Sequence, residues 1–204
     1  MKKAMTISYE VGEGLYLNLT NKCPCACTFC LRQNGDGAYG SDPLWLEHEP
    51  PFEEIVADLE KRDLDSYKQI IFCGYGEPTC AFDMFKKVAA WLRGQTKTPI
   101  RMNTNGLSDL INGRDTAPEF KGLLDAVSIS LNAPDKEEYN AVTRPKFGEE
   151  SYDAMLKFAA EIKKYVPDVM FTVVDVIGED KIKRSQEIAD SVGIRLRVRE
   201  YIPD

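Results

Sequence analysis

Four cysteines, Cys23, Cys25, Cys27 and Cys30, crowd into eight residues of the segment NKCPCACTFCLRQ. Thiolates bind soft metals, exchange with disulfides and carry electrons, so the group admits disulfides, a zinc knot, a redox pair or an iron–sulfur site. The spacing is Cys23-x3-Cys27-x2-Cys30, with Cys25 inside the first gap. A structural zinc site takes four ligands, usually as two separated pairs. Here no second CxxC pair or ligand-spaced histidine follows, and the only histidine, His48, sits in a long loop. A thioredoxin-like pair of Cys27 and Cys30 leaves Cys23 unexplained. Three thiolates on one tight loop suit a cubane cluster with one iron left open, although ligand softness alone leaves zinc and iron–sulfur both standing. The other two cysteines, Cys73 and Cys80, lie apart. With Cys25 they are expected as buried inert thiols, because an auxiliary cluster wants about four ligands of its own.

The elements that must position those thiols are legible in the pattern. Short β-branched or apolar runs alternate with helical stretches. The strand candidates are GLYLNLT (14–20), QIIFCGY (69–75), PIRMNTN (99–105), AVSISLN (126–132), VMFTVVDV (169–176) and IRLRVREYI (194–202). Helical patterns fall near 52–63, 81–93, 117–124, 150–165 and 179–191, and in the fourth Met155, Phe158, Ala159 and Ile162 share one face. Strict alternation implies a parallel sheet with helices outside it. A full barrel has eight such units over ~250 residues. The strand signals stop at six, so the expected fold is α/β, a partial (β/α)6 TIM barrel with parallel strands, open on one side. One domain is expected over 1–204, with the cysteine loop spanning 21–51. The irregular stretch 31–51 directly follows the cysteines, and loops of that length are usually functional.

Helices cover the outside, so apolar strand residues face out and their alternates face the lumen. That sends Tyr16, Asn18, Thr20, Arg101, Asn103, Asn105, Ser128, Ser130 and Asn132 inward, with Arg195, Arg197 and Arg199. The lumen is then polar and rich in arginine, where a small barrel normally holds branched apolar side chains. An uncovered edge strand whose arginines face water is the alternative. It weighs equally for Arg195, whereas Arg197 and Arg199 are assigned to the lumen.

Charge and targeting narrow the setting. The chain of 204 residues carries 33 acidic and 26 basic side chains, net −7, which argues against nucleic acid as a partner. The basic run Lys181, Lys183, Arg184 reads as a solvated face. No apolar run approaches the ~20 residues of a membrane helix, and the opening MKKAMTISYEVGEG lacks the apolar stretch of a secretory signal. A cytoplasmic protein with reduced thiols is expected, which disfavours disulfides.

With these residues in view, the chain resembles the radical S-adenosylmethionine (radical SAM) superfamily. Cys23, Cys27 and Cys30 match its CxxxCxxC signature, with the aromatic Phe29 before the last cysteine. GYGEP (74–78) is similar to the GGEP motif, with Tyr75 replacing the second glycine. NTNG (103–106) and SISLN (128–132) look like family motifs in the expected order. A narrower resemblance, carried by TNKCPCACTFCLRQNGDG, LWLEHEP, FCGYGEPT, SISLNAP, RPKFG and RVREYIP, covers the whole chain and points to the TatD-associated (TatD-linked) radical SAM proteins.

The resemblance implies that Cys23, Cys27 and Cys30 ligate three irons of a 4Fe–4S cluster. The open iron chelates the amino and carboxylate groups of S-adenosylmethionine. One electron cleaves its C5′–S bond, and the 5′-deoxyadenosyl radical abstracts a substrate hydrogen. Phe29 then offers a ring edge to adenine or is a core aromatic. Gly74 and Gly76 let backbone approach closely, so that strand-end carbonyls accept from the methionine ammonium. Glu77 accepts from that ammonium or anchors the loop, and Tyr75 departs from the motif. Asn103 is placed at the ammonium, while Asn105 shapes the turn with Gly106. Ser130 and Asn132 suit the ribose hydroxyls and the methionine carboxylate. Arg144 forks onto that carboxylate or lies on the surface. Val176 and Ile177 border adenine through backbone atoms, and Tyr201 closes the adenine pocket or caps the barrel.

Three functions compete. A radical SAM enzyme on a small molecule would hold a carboxylate or phosphate with Arg101, Arg197 and Arg199. An activase would make a radical on a partner protein, admitted through the open side. A zinc or iron–sulfur interaction module explains the cysteines but not the motifs at successive strand ends. An electron donor of the flavodoxin or ferredoxin type is implied as a partner, and a TatD-type hydrolase is a candidate associate.

Overall fold

Alternating strands bury one face beneath helices, and that face carries the core. In a computed structural model, which describes residues 1–200, seven strands form one sheet in chain order. They are β1 (Ser8–Val11), β2 (Gly14–Leu17), β3 (Gln69–Phe72), β4 (Ile100–Thr104), β5 (Ala126–Ser130), β6 (Asp168–Val174) and β7 (Arg195–Arg199). From β2 to β7 all neighbours are parallel, as the alternating pattern requires. The sheet curves without closing, and β1 and β7 are its edges.

β1 corrects the expected strand count. It pairs antiparallel with β2 across a tight turn at Gly12, whose φ of +58° favours glycine. The two-residue connection Gly12-Glu13 was the available signal, but a four-residue strand shows too little alternation to stand out.

Among the described residues six helices pack on the outer side: α1 (Phe52–Leu59), α2 (Phe82–Gln95), α3 (Ser108–Asn112), α4 (Lys136–Thr143), α5 (Glu150–Ile162) and α6 (Glu179–Val192). On α5 the face of Met155, Phe158, Ala159 and Ile162 is fully buried, as its spacing predicts. Three helix expectations need correction, and the five-residue α3, absent from the sequence pattern, is too short to show a period. The segment 117–124 forms only a 3-10 turn, Ala117–Phe120, because Pro118 opens it and Gly122 has φ +78°. α4 was missed since its eight residues bury only Tyr139 and Thr143, which leaves a faint period. Its start is nonetheless written in the sequence: Asp135 caps it, accepting from the Glu138 N–H at 2.9 Å.

The lumen side is polar, as alternation predicts, except where the 31–51 loop covers it. There Tyr9, Ala38, Leu44 and Tyr75 form a second apolar cluster with Trp45 packed against it. Arg195 takes the alternative reading: it is exposed and forks onto Asp168 at 2.7 and 3.0 Å. The solvated face is likewise seen, with Lys181 and Arg184 paired to Glu138 and Asp135.

Candidate active site

After β2 the chain crosses the C-terminal edge of the sheet, the end where barrel sites assemble. The cysteine loop is clamped there by the end of α4. Ala26 N–H donates to Thr143 C=O at 3.0 Å, Thr28 N–H to Val142 C=O at 2.8 Å, and Lys146 N–H to Pro24 C=O at 2.9 Å. All six cysteines are free thiols; Cys25 is buried, and Cys23, Cys27 and Cys30 are half-buried. Cys25 lies beside Cys23 and Cys27, and its thiol favours the thiolate form of each, which holds both of those below the ordinary thiol range. The same two neighbours, with burial, push Cys25 far upward, so it stays protonated. Asn105 Nδ2 donates to Cys25 Sγ at 3.6 Å.

The GYGEP loop is held by its own side chains. Glu77 is buried, and its Oε1 accepts from Thr79 N–H at 3.1 Å, Thr79 Oγ1 at 2.8 Å and Thr104 Oγ1 at 2.7 Å. Its Oε2 accepts from Asn105 N–H at 2.7 Å. Burial raises the Glu77 carboxyl, and these donors offset part of that rise. Glu77 therefore anchors β3 to β4. The glycines allow close approach, but the approaching groups are protein: a Cβ at Gly74 would lie 2.2 Å from Asn18 Oδ1, and one at Gly76 would lie 2.2 Å from Thr20 C=O.

Tyr75 has an ordinary negative φ and is 4% exposed. Its hydroxyl donates toward Gly35 C=O at 3.0 Å and Gly37 C=O at 2.5 Å, and Trp45 meets its ring edge-on at 5.2 Å. The residue that breaks the motif pins the 31–51 loop. Asn18 completes the joint, accepting from Tyr75 N–H at 3.2 Å and donating to Leu44 C=O at 2.9 Å. Local sequence pattern carries no sign of these long-range bonds.

The remaining candidates divide. Asn105 shapes the turn, accepting from Leu107 N–H at 2.9 Å. Asn103 is half-buried on the lumen face of β4, beside the Cys73 thiol. Ser130 and Asn132 are half-buried at the end of β5, and their side chains have no hydrogen-bond partner among the described residues. Asn132 holds φ +63°, a left-handed conformation uncommon outside glycine. Phe29 is 43% exposed and so is no core residue. Val176 is 65% exposed, while Ile177 packs on the main core, both in the turn after β6. Arg144 ends α4 with φ +46° and is exposed, lining a surface cleft with Lys136, Asn140 and Glu149. Tyr201 lies outside the described residues. Cys73 is raised by burial, and Cys80 is pushed up to about 12 by burial and the Glu77 charge. Both thus stay thiols.

This donor set fits an iron–sulfur cluster. Two of three half-buried thiols are biased toward thiolate, the form that ligates. Among the described residues no three His, Cys, Asp or Glu side chains converge on a point as a single ion demands. A four-iron cube, by contrast, meets its ligands at separate corners. His48 is exposed and pairs with Glu54 at 2.8 Å.

Comparison with known proteins agrees with this chemistry. The model of the radical SAM superfamily matches residues 17–190, and the chain belongs to that superfamily. Its members use a 4Fe–4S cluster and S-adenosylmethionine. Among curated proteins, the GTP 3′,8-cyclase of Rhodococcus opacus (strain B4) is 28% identical over 139 residues. That stretch is 66% of this chain, which spans only 36% of the relative's length. Among solved structures, Streptococcus suis SuiB, bound to its precursor peptide SuiA, aligns with TM-score 0.63 and 15% identity over 93% of this chain and 39% of SuiB. A radical SAM methyltransferase from Sphaerobacter thermophilus aligns with TM-score 0.60 and 14% identity over 96% of this chain and 69% of that one. At such identities the likeness speaks for the fold, the open parallel barrel. No helix among the described residues is long and apolar enough to cross a membrane.

Proposed function

We propose that the chain is a radical SAM enzyme acting as one core domain over 1–204, with Cys23, Cys27 and Cys30 as its cluster ligands. When bound, the cluster and S-adenosylmethionine supply a 5′-deoxyadenosyl radical, which takes a hydrogen from the substrate. The chain's residues orient and enclose. Ser130 and Asn132 offer a hydroxyl and an amide to the ribose and the methionine carboxylate, and Asn103 faces the ammonium. Phe29, Val176 and Ile177 border adenine, and Arg144 reaches the carboxylate from the end of α4. Tyr75 and the 31–51 loop keep water from one side of the mouth.

The observation that carries this reading is the cysteine loop itself. It is clamped to α4, holds two sulfurs biased to thiolate, and lies at the same strand ends as Ser130 and Asn132. The TatD-associated proteins are the subfamily we favour, on the motifs quoted above, with a cytoplasmic setting and a flavodoxin- or ferredoxin-type electron donor. Physical association with a TatD-type hydrolase is part of the same proposal.

The test is anaerobic reconstitution. Protein carrying about four irons per chain should be brown and should release 5′-deoxyadenosine when given dithionite and S-adenosylmethionine. Cys27→Ala should lose both properties. A colourless zinc protein that releases none would end the proposal.

A further inference from the structure

The lumen wall carries three guanidinium groups that meet no acidic side chain at ion-pair distance among the described residues: Arg101 on β4, and Arg197 and Arg199 on β7. Their neighbour Arg195 is neutralised by Asp168. Arg101 is half-buried, and its Nε is sealed from solvent without a hydrogen-bond partner. A buried donor left unmade is destabilising, and a bound acceptor removes that cost.

The three act on one another. Arg101 feels the charges of Arg197 and Arg199, and the Tyr16 hydroxyl and Cys73 thiol feel both Arg101 and Arg199. Along the ladder Arg101 aligns with Ala126 and Ala126 with Asp168, four residues short of Thr172, the partner of Arg197. The stagger of a barrel wall brings such positions to a common level across the lumen. Burial lowers the Arg101 pKa, and the other guanidiniums lower it further. Burial holds Tyr16 and Cys73 in their neutral, donating forms.

We propose that this wall holds the oxyanionic head of a small substrate, a phosphate ester or a dicarboxylate, between Arg101, Arg197 and Arg199, with Tyr16 as a further donor. The head lies deep. Asn103 stands two residues further along β4, roughly 7 Å at ~3.3 Å per residue. A substrate anchored at Arg101 therefore presents to the mouth a carbon several bonds from its charge. What happens to that carbon rests on the radical SAM reading; anion binding rests on the lumen alone.

Reconstituted protein saturated with S-adenosylmethionine, so that the cofactor's carboxylate has its own place, is titrated calorimetrically at low salt with inorganic phosphate and separately with succinate. One of the two should bind one to one. Arg101→Gln and Arg199→Gln should each weaken it about tenfold or more, the scale of a lost charge-assisted bond, and Arg195→Gln should leave it unchanged. Binding of phosphate alone assigns an ester, and binding of succinate alone assigns a dicarboxylate. Binding of neither, or equal binding by all variants, overturns the proposal. Thermal melts separate misfolding of the Arg101 variant from loss of the site, and Arg199, being exposed, gives a variant expected to fold. Phosphate bound by a protein that takes up no iron would sink the enzyme reading while leaving the anion site standing.

Discussion

The two sides of the barrel mouth are built on opposite terms. At the strand ends from β2 to β4, the orphaned Arg101 Nε lower on β4 apart, the polar groups bind one another: Glu77 collects four donors from three residues, Asn18 joins Tyr75 to Leu44, and Asn105 caps its own turn. From β5 to β7, the half-buried Ser130 and Asn132 have no protein partner among the described residues, and neither do the exposed Arg197 and Arg199. Buried and half-buried polar groups in native proteins are nearly always paired. The paired side therefore sets the shape of the cysteine loop, and the unpaired side is kept for ligands. Substitutions on the first side should cost stability, and substitutions on the second should cost binding.

The sharpest test of the paired side is Glu77→Ala. It strands Thr79 N–H, Thr79 Oγ1, Thr104 Oγ1 and Asn105 N–H, all buried or half-buried. Each orphaned donor costs about 1–3 kcal/mol where water cannot reach it. Allowing for relaxation, the expected loss is about 3–5 kcal/mol, read as a drop in the urea midpoint of the metal-free protein. A loss under about 1 kcal/mol would mean that Glu77 is not the anchor and that its carboxylate is free for a ligand.

On the unpaired side, Ser130→Ala and Asn132→Gly should move stability by no more than about 0.5 kcal/mol, as substitutions that break no contact do. Glycine also suits the φ of +63° at position 132. Each should weaken S-adenosylmethionine binding roughly five- to tenfold, the scale of one hydrogen bond, measured by equilibrium dialysis on reconstituted protein. Destabilisation with unchanged affinity would place both residues with Glu77, and the contrast between the two sides would dissolve.

Sequence pattern carried some of this and not the rest, for physical reasons. Alternation in PIRMNTN and AVSISLN placed Asn103 and Ser130 on the lumen face because one face of each strand must be apolar, and the core obeys that rule at Met102 and Ile129. Spacing singled out three cysteines, since ligands on one loop are close in sequence as in space. Tyr75 looked like a blemish in a glycine motif. Its partners are backbone carbonyls at Gly35 and Gly37, 40 and 38 residues earlier, and no local period encodes such a bond. The clamp from Thr143 and Val142 on the cysteine loop was hidden for the same reason. The missed helix α4, however, had a readable cap in Asp135 and Glu138.

Arg195 supplies the finest comparison, because it shares a strand face with Arg197 and Arg199 yet is paired. Its guanidinium holds the Asp168 carboxyl below the usual carboxylate range. A depressed folded-state pKa adds stability that is present above the unfolded value of about 3.9 and is lost as pH falls through the folded one. Both partners are about half exposed, so the pair is worth at most about 1 kcal/mol. Asp168→Asn should therefore lower the urea midpoint slightly at pH 7, and the gap to wild type should shrink steadily below about pH 4. Asp168 also feels Arg101, two strands away, but freed Arg195 lies at the far end of the strand from Arg199, so anion affinity in the lumen should change little. A gap that persists to pH 3, or anion binding that tightens once Asp168 is neutral, would show that Asp168 restrains the lumen charge and that the paired and unpaired arginines form a single field.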